Sequence, residues 1–202
     1  MNEPIGMSGF ASKESRHKLA DRKDDFYASP LEAVDSFIAI EEPYLPRHLW
    51  EPACGDGAMV MPLRQKGYSV LASDLVARGC PDSSAGQDFL MPFPVPGNFG
   101  GIVTNPPFKL ASEFVIKSLS LAPYVAILAR IAFLEGIQRR PMFKSTSLAR
   151  VHVSSRRLPM MHRDGWDGPI STSATCFAWF VWDARHAGEP VIRWFDWKDH
   201  AR

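Results

Sequence analysis

Trp50-Glu51-Pro52-Ala53-Cys54-Gly55-Asp56-Gly57 is the stretch on which the fold turns. His48-Leu49-Trp50 reads as the end of a strand, and Ala58 to Lys66 as a short helix stopped by Gly67. Between them, Gly55 and Gly57 allow positive φ and close backbone approach, which a β-branched residue would obstruct. A ligand laid across such a turn meets backbone N–H groups and the partial positive charge of a helix N-terminus, a setting that favours a carboxylate or phosphate. Taken alone, a Gly-rich turn is as often only a turn.

Downstream, Tyr68-Ser69-Val70-Leu71-Ala72-Ser73-Asp74 is an apolar strand that ends in a carboxylate. Asp74 follows Gly55 by 19 positions, close to the spacing at which an acid reaches ribose hydroxyls in nucleotide-binding βαβ units. Read without that strand, it is a helix cap or a surface acid. Asp88, in Gln87-Asp88-Phe89-Leu90, lies between a polar loop and an apolar pair. It is placed to accept a hydrogen bond from an adenine amino group, with Phe89 packing on the ring; by itself it passes for a turn aspartate.

The chemistry rests on a further element. Gly101-Ile102-Val103-Thr104 reads as a buried strand that delivers Asn105-Pro106-Pro107-Phe108 to the carboxyl edge of a sheet, where α/β proteins bind ligands. Two consecutive prolines fix φ and remove two N–H donors, so the carbonyls there are rigidly aimed. An exocyclic base amine is a poor nucleophile because its lone pair is delocalised into the ring. In this reading the Asn105 side-chain oxygen and the Pro106 carbonyl hold its two hydrogens and favour a more tetrahedral nitrogen, while Phe108 stacks on the base. The bland reading is a structural Pro-Pro strand end.

Together these residues resemble the class I S-adenosylmethionine-dependent methyltransferases, in particular the DNA amino-methyltransferases with a Glu-Pro-Ala-Cys-Gly first motif and an Asn-Pro-Pro-aromatic fourth motif. The nearest likeness is to small phage- and prophage-type adenine N6 methyltransferases. It runs from about Asp25 to about Asp183, with the specific motifs in the first half. The resemblance implies an α/β, Rossmann-like fold: a mostly parallel seven-stranded sheet with helices on both faces. It implies S-adenosyl-L-methionine as cofactor, bound by Glu51, Ala53, Gly55 and Gly57 on the methionine side, Asp74 at the ribose, and Asp88 and Phe89 at the adenine. Asn105, Pro106 and Phe108 would hold the target. The chemistry implied is direct in-line transfer to a flipped base, with no covalent enzyme intermediate and no metal. No Pro-Cys nucleophile of the cytosine-C5 kind is visible.

Upstream, Asp25-Phe26-Tyr27-Ala28-Ser29-Pro30 is similar to the family's N-terminal cofactor-side motif, with Tyr27 as a cofactor contact. The same residues predict a capping box: Ser29 as N-cap, Pro30 at the first helical position and Glu32 three after the cap. Further on, the pattern predicts a helix over Leu110 to Leu121, a strand over Tyr124 to Leu128 and a helix over Gly136 to Phe143. Val151-His152-Val153 and Cys176 to Trp182 read as a final antiparallel pair. Trp179, Trp182, Trp194 and Trp197 are expected to pack at the sheet edge.

At 202 residues with 46% apolar content, the chain can bury one sizeable core. We expect a basic, flexible leader over 1–22 and one methyltransferase domain over 23–202. No apolar run approaches a membrane span, and no signal-peptide pattern is present. Cys54, Cys80 and Cys176 lack metal spacing and point to reduced thiols in a cytoplasmic compartment. Net charge is only +1, but eight cations between Arg130 and Arg163 (Arg130, Arg139, Arg140, Lys144, Arg150, Arg156, Arg157, Arg163) face one acid, Glu135. Segment 130–163 is therefore read as a DNA phosphate surface, or else as a solvated face. The stretch 158–174, with its Gly-Trp-Asp-Gly-Pro core, is either a recognition loop or a simple surface excursion. Cytosine N4, guanine N2 of RNA and protein glutamine amides are planar nitrogens that suit the same motif. An inactive cofactor-binding or subunit-interaction module is the reading from a different class. Oligomeric state is not legible.

Overall fold

The computed structural model describes residues 28–159 and 175–200. Its elements are α1 (Leu31–Glu41), β1 (His48–Glu51), α2 (Val60–Gln65), β2 (Ser69–Ala72), β3 (Gly101–Thr104), α3 (Ala111–Leu121), β4 (Tyr124–Arg130), α4 (Arg140–Lys144), β5 (Leu148–Ser154), β6 (Phe177–Asp183) and β7 (Val191–Phe195). The expected leader, Tyr27 and nearly all of the expected recognition loop lie outside the described residues.

The strands form one seven-stranded sheet in the order β2-β1-β3-β4-β6-β5-β7. Only β6 is reversed: it pairs antiparallel with β4 and β5, and every other pairing is parallel. This is the mostly parallel α/β sheet expected from the sequence. Its centre is buried on both sides, so the strands read as continuous apolar runs whose residues alternate between two cores. Leu49, Val103, Leu128 and Trp179 point to the face covered by α1 and α2. Trp50, Ile102, Ile127, Phe180 and Trp182 point to the face covered by α3 and by Met142 and Phe143 of α4. Helix α1 buries Ala33, Val34, Phe37, Ile38 and Glu41 along one stripe, and Phe37 stacks on Trp179 with ring centroids 4.2 Å apart.

Several local expectations change. Ser29 is not the cap of α1: the helix begins after an extended Pro30 (φ −64°, ψ 141°), whose carbonyl accepts the Ala33 and Val34 N–H groups. The β2–β3 connection carries no named strand, and a bridge between Ser73 and Ser84 ties it down. The last strand, β7 (Val191–Phe195), follows the antiparallel pair expected to end the sheet. Trp179 and Trp182 are fully buried in the interior strand β6, whereas Trp194 is the edge residue and is 69% exposed. Among the described residues no helix is long and apolar enough to cross a membrane.

The amino edge of the sheet is held by a buried ionic cluster. Glu41, at the end of α1, accepts hydrogen bonds from Arg150 Nε (2.7 Å) and Nη2 (3.0 Å) and from the Tyr124 hydroxyl (2.9 Å), and its Oε1 lies 2.6 Å from His152 Nε2. Arg150 also reaches Asp183 (3.2 Å), which Arg185 holds from outside (2.8 Å). Burial pushes the Glu41 carboxyl up, but His152 and Arg150 together hold it below the usual range. An open cleft of about 380 Å³, lined by Tyr44, Arg150, Asp183, Arg185 and Arg193, lies at this edge. Such a cluster adds little net stability against an apolar replacement, but removing one partner strands the others. Glu41→Ala is expected to destabilise the fold by about 3–5 kcal/mol, read from urea midpoints; a loss below about 1 kcal/mol would mean that Arg150 and His152 find water or other partners instead.

Candidate cofactor and target site

At the opposite, carboxyl edge, parallel pairing brings the chemistry-bearing residues together. Glu51 ends β1, Asn105 follows β3, and Asp74 lies just beyond β2. The β1 turn has the predicted left-handed glycines, Gly55 (φ 56°) and Gly57 (φ 92°). Its helix is shorter than expected and starts only at Val60. A second acid stiffens this turn: Asp74 Oδ2 accepts the Gly55 N–H at 2.8 Å, while Oδ1 accepts that of Val76 at 2.9 Å. Gly57 has a packing reason as well, since a Cβ there would sit 3.1 Å from Cys80 Sγ.

Glu51 is 1% exposed, and its Oε1 accepts the Ala53 N–H at 2.9 Å. The Thr104 hydroxyl and the Asn105 N–H also face the carboxyl and favour its ionised form. Burial outweighs them, with the nearby Asp74 carboxylate adding to it, and the Glu51 pKa is pushed up to about 8. Glu51 is therefore protonated near neutral pH. Burial and the neighbouring Cys80, Glu51 and Asp74 push the Cys54 thiol up as well, so Cys54 is a small packing residue in the turn and not a nucleophile.

Gln87 N–H donates to the Asp74 carbonyl (3.1 Å), which brings the following turn beside Asp74. There Asp88 Oδ1 accepts the Leu90 N–H at 3.0 Å. The expected partner ring is elsewhere: Phe89 is 3% exposed and sits in the core against Trp50 (5.3 Å) and Phe114 (4.9 Å).

Just beyond β3, Asn105 Nδ2 donates to the Ser29 hydroxyl at 3.1 Å, across 76 positions of sequence. Ser29, read as a helix cap, instead sets the orientation of the Asn105 amide. Pro106 is buried, and the Pro107 carbonyl accepts the Leu110 N–H (2.9 Å) to open a 3-10 turn over Phe108–Leu110. The Phe108 ring lies 5.6 Å from that of Phe177, and the Arg130 guanidinium sits over it at 4.5 Å. No local pattern signals either the Ser29 or the Arg130 contact.

The basic segment does not form one surface. Arg150 is buried at the amino edge, Arg139 donates to the carbonyls of Ala132, Phe133 and Glu135, and Arg156 forms a bidentate pair with Asp196. Arg130, Arg140 and Lys144 are exposed, and Arg163 lies outside the described residues.

No protein-family model matches the chain, and no curated protein matches it in sequence. Solved structures do resemble it. A type I restriction-modification methyltransferase subunit from Streptococcus thermophilus aligns with TM-score 0.54 and 12% identity over 77% of this chain, which spans only 43% of that subunit. A candidate RNA methyltransferase from Pyrococcus horikoshii aligns at 0.55 and 10%, covering 76% of this chain and 83% of that one. Magnesium protoporphyrin IX methyltransferase from Synechocystis, solved with bound SAM, aligns at 0.51 and 17%, covering 75% and 77%. The shared feature is the Rossmann-like methyltransferase fold.

Glu51 supplies a pH test. Its carboxyl titrates at 4.5 when unperturbed and at about 8 here, so between those values the folded protein holds a proton that the unfolded chain lacks. Stability from this group is full below pH 4.5 and falls as pH rises through 8, by up to about 1.4 kcal/mol per pH unit. Glu51→Gln is expected to flatten that slope in urea unfolding between pH 5 and pH 8; an unchanged slope would place the proton elsewhere.

Proposed function

We propose that this protein transfers a methyl group from S-adenosylmethionine to an exocyclic base amine of DNA, adenine N6 in first place. One observation carries the reading: the Asn105 backbone N–H faces the buried Glu51 carboxyl, so the glycine-turn acid and the Asn-Pro-Pro-Phe element share one sheet edge. A cofactor turn and a planar-amine element that meet there suit a transfer between two bound ligands.

The donor set fits the cofactor. Glu51 and the Ala53 to Gly57 turn would hold the methionine end, with the carboxyl giving up its proton as an ammonium approaches. Asp74 would exchange its backbone donors for ribose hydroxyls, and Asp88 would take the adenine amine. Tyr27 remains a proposed contact. The cofactor supplies an electrophilic methyl on a sulfonium; the chain supplies position.

Asn105 accounts for the choice of a nitrogen acceptor. With its NH₂ donating to Ser29, the amide carbonyl is oriented as the acceptor, the polarity needed to hold an amine hydrogen. The rigid Pro106-Pro107 link fixes that acceptor against the strand end, and the Pro106 carbonyl is the proposed second acceptor. DNA is the proposed partner, approached through Arg130 and the exposed Arg140 and Lys144.

The test is transfer of radiolabelled methyl to duplex DNA, single-stranded DNA, RNA and a protein extract, followed by nucleoside analysis. Label is expected in N6-methyladenine; label in RNA or protein would replace the substrate, and none anywhere would leave a binding module. Asn105→Ala should abolish turnover with cofactor Kd preserved. Ser29→Ala should lower kcat about tenfold and Ser29→Thr restore it, whereas equal losses in both would mean that Ser29 only packs.

A further inference from the structure

The aromatic ring assigned to the target is already occupied. The Arg130 guanidinium lies 4.5 Å from the Phe108 centroid, over the ring. Both backbones are fixed. Pro106-Pro107 and the Leu110 to Pro107 hydrogen bond hold Phe108, while Arg130 ends β4 in register with Phe177 and the next residue, Ile131, donates to the Cys176 carbonyl at 2.9 Å. The Arg130 side chain, by contrast, is exposed and pairs with no carboxylate among the described residues. Its attraction to Phe108 is an exposed cation–π contact, weaker than the stacking of a base on the same ring.

We infer that Arg130 keeps the target face of Phe108 closed until DNA arrives, and then moves its charge to a phosphate next to the flipped nucleotide as the base takes its place. The inference rests on the nucleic-acid reading above. It explains how a basic segment of low net yield still serves the site: one cation with no carboxylate partner among the described residues is stored on the aromatic seat itself. A planar guanidinium suits this role because it stacks on rings and also binds phosphate in a bidentate fork.

Opposite effects on two ligands test the exchange. Deoxyadenosine carries a base but no phosphate, so with saturating cofactor its inhibition constant against methyl transfer to DNA should fall several-fold in Arg130→Ala, where no guanidinium covers the ring. For duplex DNA the same variant should raise KM about tenfold and reduce the salt slope of binding by about one phosphate. Arg130→Lys should recover the slope. A merely structural contact would weaken both ligands together and leave the slope unchanged, which would overturn the proposal. If the wild-type protein labels RNA or protein but not DNA, the parent reading falls instead; an active wild type with an unchanged Arg130→Ala slope rejects the Arg130 role alone.

Discussion

Parallel pairing of β1 with both β2 and β3 is the constraint on which the site depends. Trp50 is in register with Leu71 on one side and Ile102 on the other, so the acid that ends β1 has Asp74 and Asn105 as immediate neighbours. The close approach has a steric requirement at Gly101, where a Cβ would meet Tyr124 and Pro46 at 3.0–3.2 Å. Tyr124 in turn carries the hydroxyl that bonds Glu41 at the far edge. One tightly packed strand start therefore links the ionic cluster at the amino edge to the candidate site at the carboxyl edge, about 13 Å away along β3 from Gly101 to Asn105.

The two edges solve the problem of buried charge in opposite ways. At the amino edge, Glu41 stays ionised because Arg150, His152 and Tyr124 surround it, and Asp183 and Arg185 complete the neutralisation. At the carboxyl edge, Glu51 has neutral donors and a neighbouring acid among the described residues, so burial prevails and the proton stays. The first arrangement is finished and serves stability. In the proposed reading, the ammonium of the cofactor would complete the second.

Charge counting along the chain misleads for the same reason. Eight cations cluster between Arg130 and Arg163, yet Arg150 belongs to the amino edge, Arg139 closes a turn and Arg156 is paired across to Asp196. Their spacing carries no sign of these partners, because Glu41 is 109 positions from Arg150 and Asp196 is 40 from Arg156. Arg130 differs in resting on the Phe108 ring.

By itself the sequence determined the glycine turn, the acid after β2 and the placement of Asn-Pro-Pro-Phe after a buried strand, while the sheet type followed from the resemblance those motifs carry. These are local: left-handed glycines, apolar runs and proline φ restriction are properties of a few adjacent residues. Only the tertiary structure decided that Ser29 serves Asn105 instead of capping α1, that Phe89 belongs to the core, that Trp179 and Trp182 are interior while Trp194 is exposed, and that Arg130 covers Phe108. Each of those outcomes depends on a partner tens of residues away, and a side chain with two plausible uses takes the one that packing places within reach.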